Sequence, residues 1–314
     1  MQGGRANFTI VIVAFVVLLG QSVPLCAQSN QLWRDQKIKN YLPHMTWPEV
    51  QDLLTRTDMA VIPVTALEQH GLHGPIGTDF FNGLYRALLV AQRADVLVVP
   101  VLFPGNSPYH MGFPGTITLS AETVQRVYFE AAQSLLRHGF RRILLLNSHG
   151  GNETISRYIA DRINNETSGV AVELSEASAP FMQSPAGLQR RSPMLDRHGG
   201  VGETSNSLYL TPGLVNLSAA RVATITMPGH LQKMLPDVVA ADPSALRIFR
   251  AEGLKPEETG KHTSAREMST TGAWSVRDPT EATAEQGQRE VEDSVQAAVQ
   301  FIQRWKELVP MSKR

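Results

Sequence analysis

Two hydrophobic rhythms alternate along the chain. Short unbroken apolar runs are followed by longer stretches with helical spacing. Val61-Ile-Pro-Val-Thr65, Val96-Leu-Val-Val-Pro100, Arg142-Ile-Leu-Leu-Leu-Asn147 and Gly169 to Leu174 read as strands. The run at 142–147 is apolar throughout and is expected at the centre of the sheet. Helices are expected between them. Thr46-Trp-Pro-Glu49 opens one over 46–57 with a capping-box pattern and a proline in its first turn. Others span 79–94, 120–138 (opened by Ser120 and closed by Gly139) and 152–164. A long terminal helix runs over 283–308, with Val291, Val295, Ala298, Phe301, Ile302 and Trp305 on one face. Residues 175–200 and 225–275 show no clear periodicity and are rich in Pro, Ser, Met and Gly. They read as irregular lids or subunit contacts.

Strands alternating with helices predict an α/β fold with a mostly parallel sheet and helices on both faces. In such sheets ligands sit beyond the carboxyl ends of the strands. The chain has 314 residues and 42% hydrophobic content, enough for a sizeable core. Lys+Arg and Asp+Glu both total 29, so no charge bias points to nucleic acid or an anionic membrane. The N-terminus reads differently. Arg5, the uncharged run Phe8 to Gly20 and the small residue at Ala27 form a cleavable secretory signal over 1–27. The apolar run is short of the roughly 20 residues a membrane span needs, and Leu25 before Cys26 disfavours a lipoprotein. The expected mature protein, 28–314, is periplasmic or secreted and free of the membrane. Cys26 is the only cysteine, so cleavage leaves no thiol for catalysis, disulfides or metal ligation.

Two glycine-rich polar loops follow strands. The first is Leu67-Glu-Gln-His-Gly-Leu-His-Gly-Pro-Ile-Gly-Thr-Asp79; the second is Asn147-Ser-His-Gly-Gly-Asn152. In an extended loop alternate residues share a side, so Glu68 and His70 can converge while Gln69 points away. Asp79, near a helix start, can return to bridge two ions, and glycines 71, 74 and 77 permit the turn. His149 sits at the mouth of the buried strand, facing the same crevice. Carboxylates with imidazoles suit Zn, Mn or Fe(II), with Zn commonest by availability. The bland alternative is a polar loop in which Asp79 caps the next helix. His73 is set aside as a surface or supporting histidine. No G-x-x-x-x-G-K-[ST], G-x-G-x-x-G or G-x-S-x-G motif is present, which argues against nucleotide binding and serine hydrolysis. A third cluster, His198-Gly-Gly-Val-Gly-Glu-Thr-Ser205, precedes an apolar helix; taken alone it reads as a helix N-terminus with Glu203 in its first turn.

Together these clusters resemble the creatininase family of metal-dependent amidohydrolases. Gly105-Asn-Ser-Pro-Tyr-His110, Phe113-Pro-Gly-Thr-Ile117 and a weaker tail, Gly272-Ala-Trp-Ser-Val-Arg-Asp-Pro-Thr280 with Ala282 to Gly287, complete the match over roughly 45–290. The resemblance implies a single domain with a three-layer α/β/α sandwich, one or two divalent metals per chain and a homo-oligomer, commonly a hexamer. Carried over by position, Glu68 and His149 hold one metal, His70 the other, and Asp79 bridges. His198 stands near the scissile bond, with Glu203 in the catalytic group. The implied reaction is hydrolysis of a C–N bond in a small cyclic or linear amide by water activated at the metals. Two departures separate this chain from true creatininases. The position of Gly151 is a glutamate there, completing the second metal site; here Glu203 or water takes that place, or one metal binds. Residues 175–197 also lack the tryptophans of the creatinine pocket, which disfavours creatinine. A short-peptide hydrolase with the same site, and a non-catalytic small-molecule binder on the same fold, stay open.

Overall fold

The computed structural model describes residues 36–182, 193–253 and 265–311. The segment that reads as a secretory signal, 1–27, lies outside them. Four strands form the main sheet: β1 (Met59–Val64), β2 (Leu97–Val98), β3 (Arg142–Asn147) and β4 (Val170–Glu173). Their order is β2-β1-β3-β4 and every pairing is parallel. The apolar run at 142–147 is therefore interior, as its composition predicts. Proline is tolerated inside β1 because β2 pairs only with Ala60 and Val61, so Pro63 lies where that neighbour has ended.

Residue parity sorts the core into two layers. Met59 and Val61 of β1 and Leu144 and Leu146 of β3 face one cluster. There they meet α2 (Thr78–Ala94), α6 (Val201–Leu210) and the terminal helix α10 (Ala284–Leu308). Ala60, Ile62, Val64, Ile143 and Leu145 face the other, against α1 (Trp47–Leu53), α3 (Ala121–His138) and α4 (Glu153–Glu166). Period-two alternation on strands that are buried on both sides yields the expected three-layer α/β/α sandwich. The predicted ends hold as well. Thr46 and Glu49 form the capping box, Ser120 Oγ accepts from Thr123 N–H at 3.2 Å, and Gly139 closes α3 at φ +116°. On α10, Val291, Val295, Ala298 and Ile302 are buried, with Phe301 and Trp305 packed against them.

The stretches read as irregular are partly ordered. Beyond β4 lie α5 (Leu174–Ser178) and β5 (Asp196–His198). Further on come α7 (Leu235–Val239), α8 (Pro243–Glu252), α9 (Ala265–Met268) and β6 (Trp274–Ser275). β5 and β6 pair antiparallel. They cover a third cluster containing Leu195, Ile225, Val238, Phe249, Met268 and Trp274. These elements are too short for periodicity to register, and contacts distant in sequence stabilise them. Among the described residues, no helix is long and apolar enough to cross a membrane.

Candidate metal centre

Val64 of β1 and Asn147 of β3 are direct register partners. The two polar loops therefore leave the sheet side by side. Asn152 ties them together from beneath. Its amide donates to Thr65 O at 2.9 Å and accepts from Asn106 N–H at 3.0 Å, joining the loops that follow β1, β2 and β3. The first loop turns at Gly71, φ +70°, and closes where Glu68 N–H donates to Ile76 O at 3.0 Å. Asp79 then enters the first turn of α2, and Ser148 Oγ–H donates to its backbone carbonyl at 2.8 Å. Asp79 is only 3% exposed, so it points into the crevice and does not cap the helix.

All six predicted residues meet there. Three overlapping triads have their ligand atoms within 4.8 Å of one another: Glu68, Asp79 and His149; His70, Asp79 and Glu203; Glu68, His70 and His198. His149 Nδ1 lies 3.2 Å from Glu68 Oε1 and 3.0 Å from Asp79 Oδ2. His70 Nε2 lies 3.4 Å from Asp79 Oδ1 and 3.6 Å from Glu203 Oε2. The outer nitrogens of both rings are tied to carbonyls: His70 Nδ1 to Glu68 O at 3.0 Å, His149 Nε2 to Asn106 O at 3.0 Å. Such carbonyl anchors orient an imidazole so that its other nitrogen faces a metal. The inward atom His70 Nε2 is buried without a hydrogen-bond partner, and Asp79 Oδ2 meets only His149 Nδ1, 3.0 Å away and out of hydrogen-bond alignment. Buried polar atoms of native proteins are rarely left so. Orphaned atoms converging with a carboxylate–imidazole donor set fit a divalent cation.

The charges agree. Burial alone would raise the carboxyl of Glu68, but His149 and His110 outweigh it and hold it near 2. Burial likewise opposes ionisation of Asp79, yet His70 and His149 keep it well below its usual range. Burial would lower His70, but Asp79, Glu203 and Glu68 raise it to about 10. His149 is raised in the same way, chiefly by Glu68. Without an ion, protons on these two rings supply the positive charge that the buried carboxylates require. Glu203 differs. Its side chain is 35% exposed. Burial pushes its carboxyl upward against the pull of His70, and the charges of Asp79 and Glu68 add to the rise.

The position of Gly151 now has a reason. A Cβ there would lie 2.2 Å from Asn106 O, 2.4 Å from His149 Nε2 and 2.8 Å from the Tyr109 hydroxyl. No side chain fits, while Glu203 brings a carboxylate to the His70–Asp79 pair from α6. Glu203 Oε2 is steadied by Gly199 N–H at 2.8 Å. His73, set aside as a ligand, is buried, and its Nε2 contacts Thr204 Oγ1 at 2.8 Å.

Three neighbours of the centre escaped the reading of single motifs. Ser107 Oγ–H donates to Glu68 Oε2, and His110 Nε2 lies 3.8 Å from the same oxygen. His110 stacks on His198 with ring centroids 4.2 Å apart. Gln69 does turn away from the ligands, but into this second group: its Nε2 lies 2.9 Å from His110 Nδ1 and 3.1 Å from His198 Nε2. The motif containing Ser107 and His110 was visible; nothing in its spacing marked which residue turns inward. Beside the ligands lies a pocket with about 190 Å³ of empty space, lined by His70, Gly74, Thr78, Gly199, Glu203, Ser207 and Val215.

Comparison with known proteins agrees with this architecture. The family model described as "Creatininase: Creatinine amidohydrolase" matches residues 43–302. The creatinine amidohydrolase of Pseudomonas putida is 32% identical over 195 residues, 56% of this chain and 74% of that protein. The mycofactocin precursor peptide peptidase of Mycolicibacterium smegmatis is 28% identical over 262 residues, 81% of this chain and 88% of that protein. Solved structures of a manganese creatininase and of a zinc–zinc creatininase variant each superpose with TM-score 0.65 at 24% identity. Each covers 88% of this chain and 100% of the other. The fold, the crevice with its carboxylates and imidazoles, and the match over most of the chain together place this protein in the creatininase family of hydrolases.

Proposed function

We propose that the mature protein is an exported, metal-dependent amidohydrolase that cleaves a C–N bond of a small cyclic or linear amide. The single observation carrying this reading is the convergence of Glu68, His70, Asp79, His149 and Glu203 around two orphaned buried atoms. Glu68, Asp79 and His149 would hold one divalent ion; His70, Asp79 and Glu203 would hold a second. Asp79 belongs to both sets, and Glu203 serves as a ligand in place of the side chain that position 151 lacks. A divalent cation in such a site lowers the pKa of water and polarises an amide carbonyl. His198, whose Nδ1 lies 3.4 Å from Glu68 Oε1, is placed to handle the proton that passes from water to the leaving nitrogen. Export rests on the apolar segment at 8–20 and its flanks.

A short-peptide substrate is the second reading. It is favoured by the peptide peptidase relative, whose match spans more of this chain than that of the creatinine amidohydrolase, and by the absence of tryptophan from residues 175–197. Elemental analysis of the purified protein, followed by an amide panel with zinc, manganese or iron restored after chelation, tests both. One to two divalent ions per chain and turnover of lactams or formamides support the first reading. Turnover of short peptides alone selects the second. Metal-loaded protein inert on the whole panel would leave a binding protein. N-terminal sequencing of the exported product tests cleavage after Ala27.

A further inference from the structure

We propose that Gln69 is a positioning residue that assigns the ring protons of His110 and His198, so that one imidazole turns its Nε2–H toward the centre and the other its Nδ1. Its functional consequence rests on the metal-hydrolase reading; the proton placement itself does not.

The orientation of the Gln69 side chain is set by backbone groups, whose donor and acceptor roles are fixed. Its Oε1 accepts from Gly71 N–H at 2.9 Å, and its Nε2 donates to Gly272 O at 2.9 Å. The amide therefore presents nitrogen, not oxygen, to His110. An amide nitrogen only donates. His110 Nδ1, 2.9 Å away, must accept, and the neutral ring carries its proton on Nε2, facing Glu68 Oε2 at 3.8 Å. The backbone of Gln69 decides the other ring. Its carbonyl oxygen lies 2.6 Å from His198 Nε2, and a carbonyl only accepts. His198 therefore holds its proton on Nε2. Its Nδ1 turns to the cluster, 3.4 Å from Glu68 Oε1 and 4.0 Å from Glu203 Oε2. The two amide hydrogens of Gln69 are consumed by Gly272 O and His110, so its 3.1 Å approach to His198 Nε2 carries no hydrogen, and the shorter 2.6 Å contact to the Gln69 carbonyl sets that nitrogen as the donor.

Two consequences follow for the chemistry. Glu68 Oε2 faces the hydrogens of Ser107 and His110, whereas Oε1 faces His149 Nδ1 at 3.2 Å, on the side where a cation would sit. With its Nε2–H engaged by the Gln69 carbonyl, His198 exchanges protons with the centre only through Nδ1. In the reaction a proton taken from the water side and the one handed to the leaving nitrogen both pass through that atom.

The test uses full-length mature protein with 15N-labelled histidine. Long-range proton–nitrogen spectra of the metal-free form identify which ring nitrogen bears hydrogen. Both His110 and His198 are expected as Nε2–H. Gln69→Glu is nearly isosteric but replaces the amide donor by an acceptor. In that variant His110 should abandon the Nε2–H form while His198, held by the backbone carbonyl, keeps it. Zinc affinity, read by chelator competition, should fall about 10–100-fold, the usual effect of losing an outer partner. An Nδ1–H His110 in the unaltered protein, or a Gln69→Glu variant with unchanged His110 nitrogens, overturns the proposal. If Gln69→Glu does not fold by circular dichroism, His110 substitutions decide. His110→Gln retains a donor near the Nε2 position and should keep zinc affinity within about threefold, whereas His110→Asn should lose about tenfold or more. Equal affinities for these two variants sink the idea. If unaltered protein binds no zinc, the metal reading fails, yet the nitrogen spectra still decide the role of Gln69.

Discussion

Glu68, His70, Asp79 and His149 hang from the ends of β1, α2 and β3, whereas His198 stands on β5, which pairs only with β6 among the described strands. The first group is anchored to six in-register residue pairs between β1 and β3 and to two large apolar clusters. The second depends on a smaller cluster beneath β5 and β6 and on a pairing whose register shifts between Asp196 and His198. Local opening costs less where fewer buried contacts must break. The proposed ligands thus sit on the firm side of the crevice, and the group proposed for proton transfer on the side better able to move. The division suits a site that must hold an ion continuously but admit and release a substrate.

The sharpest way to break this comparison is at the shared carboxylate. Asp79→Ala should abolish turnover and reduce metal affinity by more than about a hundredfold, beyond the usual cost of an outer partner. Full metal content with activity retained would remove Asp79 from the centre. Next is His198→Ala, which should lower kcat by about 10²–10⁴ while leaving metal stoichiometry unchanged. Loss of metal in step with activity would move His198 into the ligand set, a role the Glu68–His70–His198 triad makes geometrically available. The smallest and most local effect is expected in the cover. Phe249 is 2% exposed and packs on Trp274 at a ring distance of 4.7 Å. Trp274 in turn is the register partner of His198. Phe249→Ala should destabilise the cover by about 3–5 kcal/mol, lowering kcat while metal content stays intact. Hydrogen exchange should quicken in β5 and β6 and not in β1 and β3. Faster exchange throughout would show that the two regions unfold as one.

Legibility followed the same boundary. The capping box at Thr46, the glycine stop at 139 and the apolar run at 142–147 all declared themselves, because each is a local preference expressed within a few residues. Glu68, His70, Asp79 and His149 were readable because loops at the carboxyl ends of neighbouring parallel strands must share a crevice. Gln69 was read as turning away from the ligands, which is correct, but its destination lay 41 residues on at His110 and 129 residues on at His198. Glu203 reads as a helix-start acid and as one of several ways to fill the second site, and its 3.6 Å approach to His70 Nε2 is what singles it out among them.

The sequence by itself determined the alternation of strand and helix, the polar loops and the donor chemistry, since hydrophobic period and residue type are local properties. The tertiary structure alone decided which carboxylate stands where position 151 has no room, which oxygen of Glu68 is already engaged, and which nitrogen of each imidazole faces inward. Those depend on hydrogen-bond partners that meet only after the sheet, α6 and the β5–β6 pair have packed together, and no periodicity along the chain encodes them.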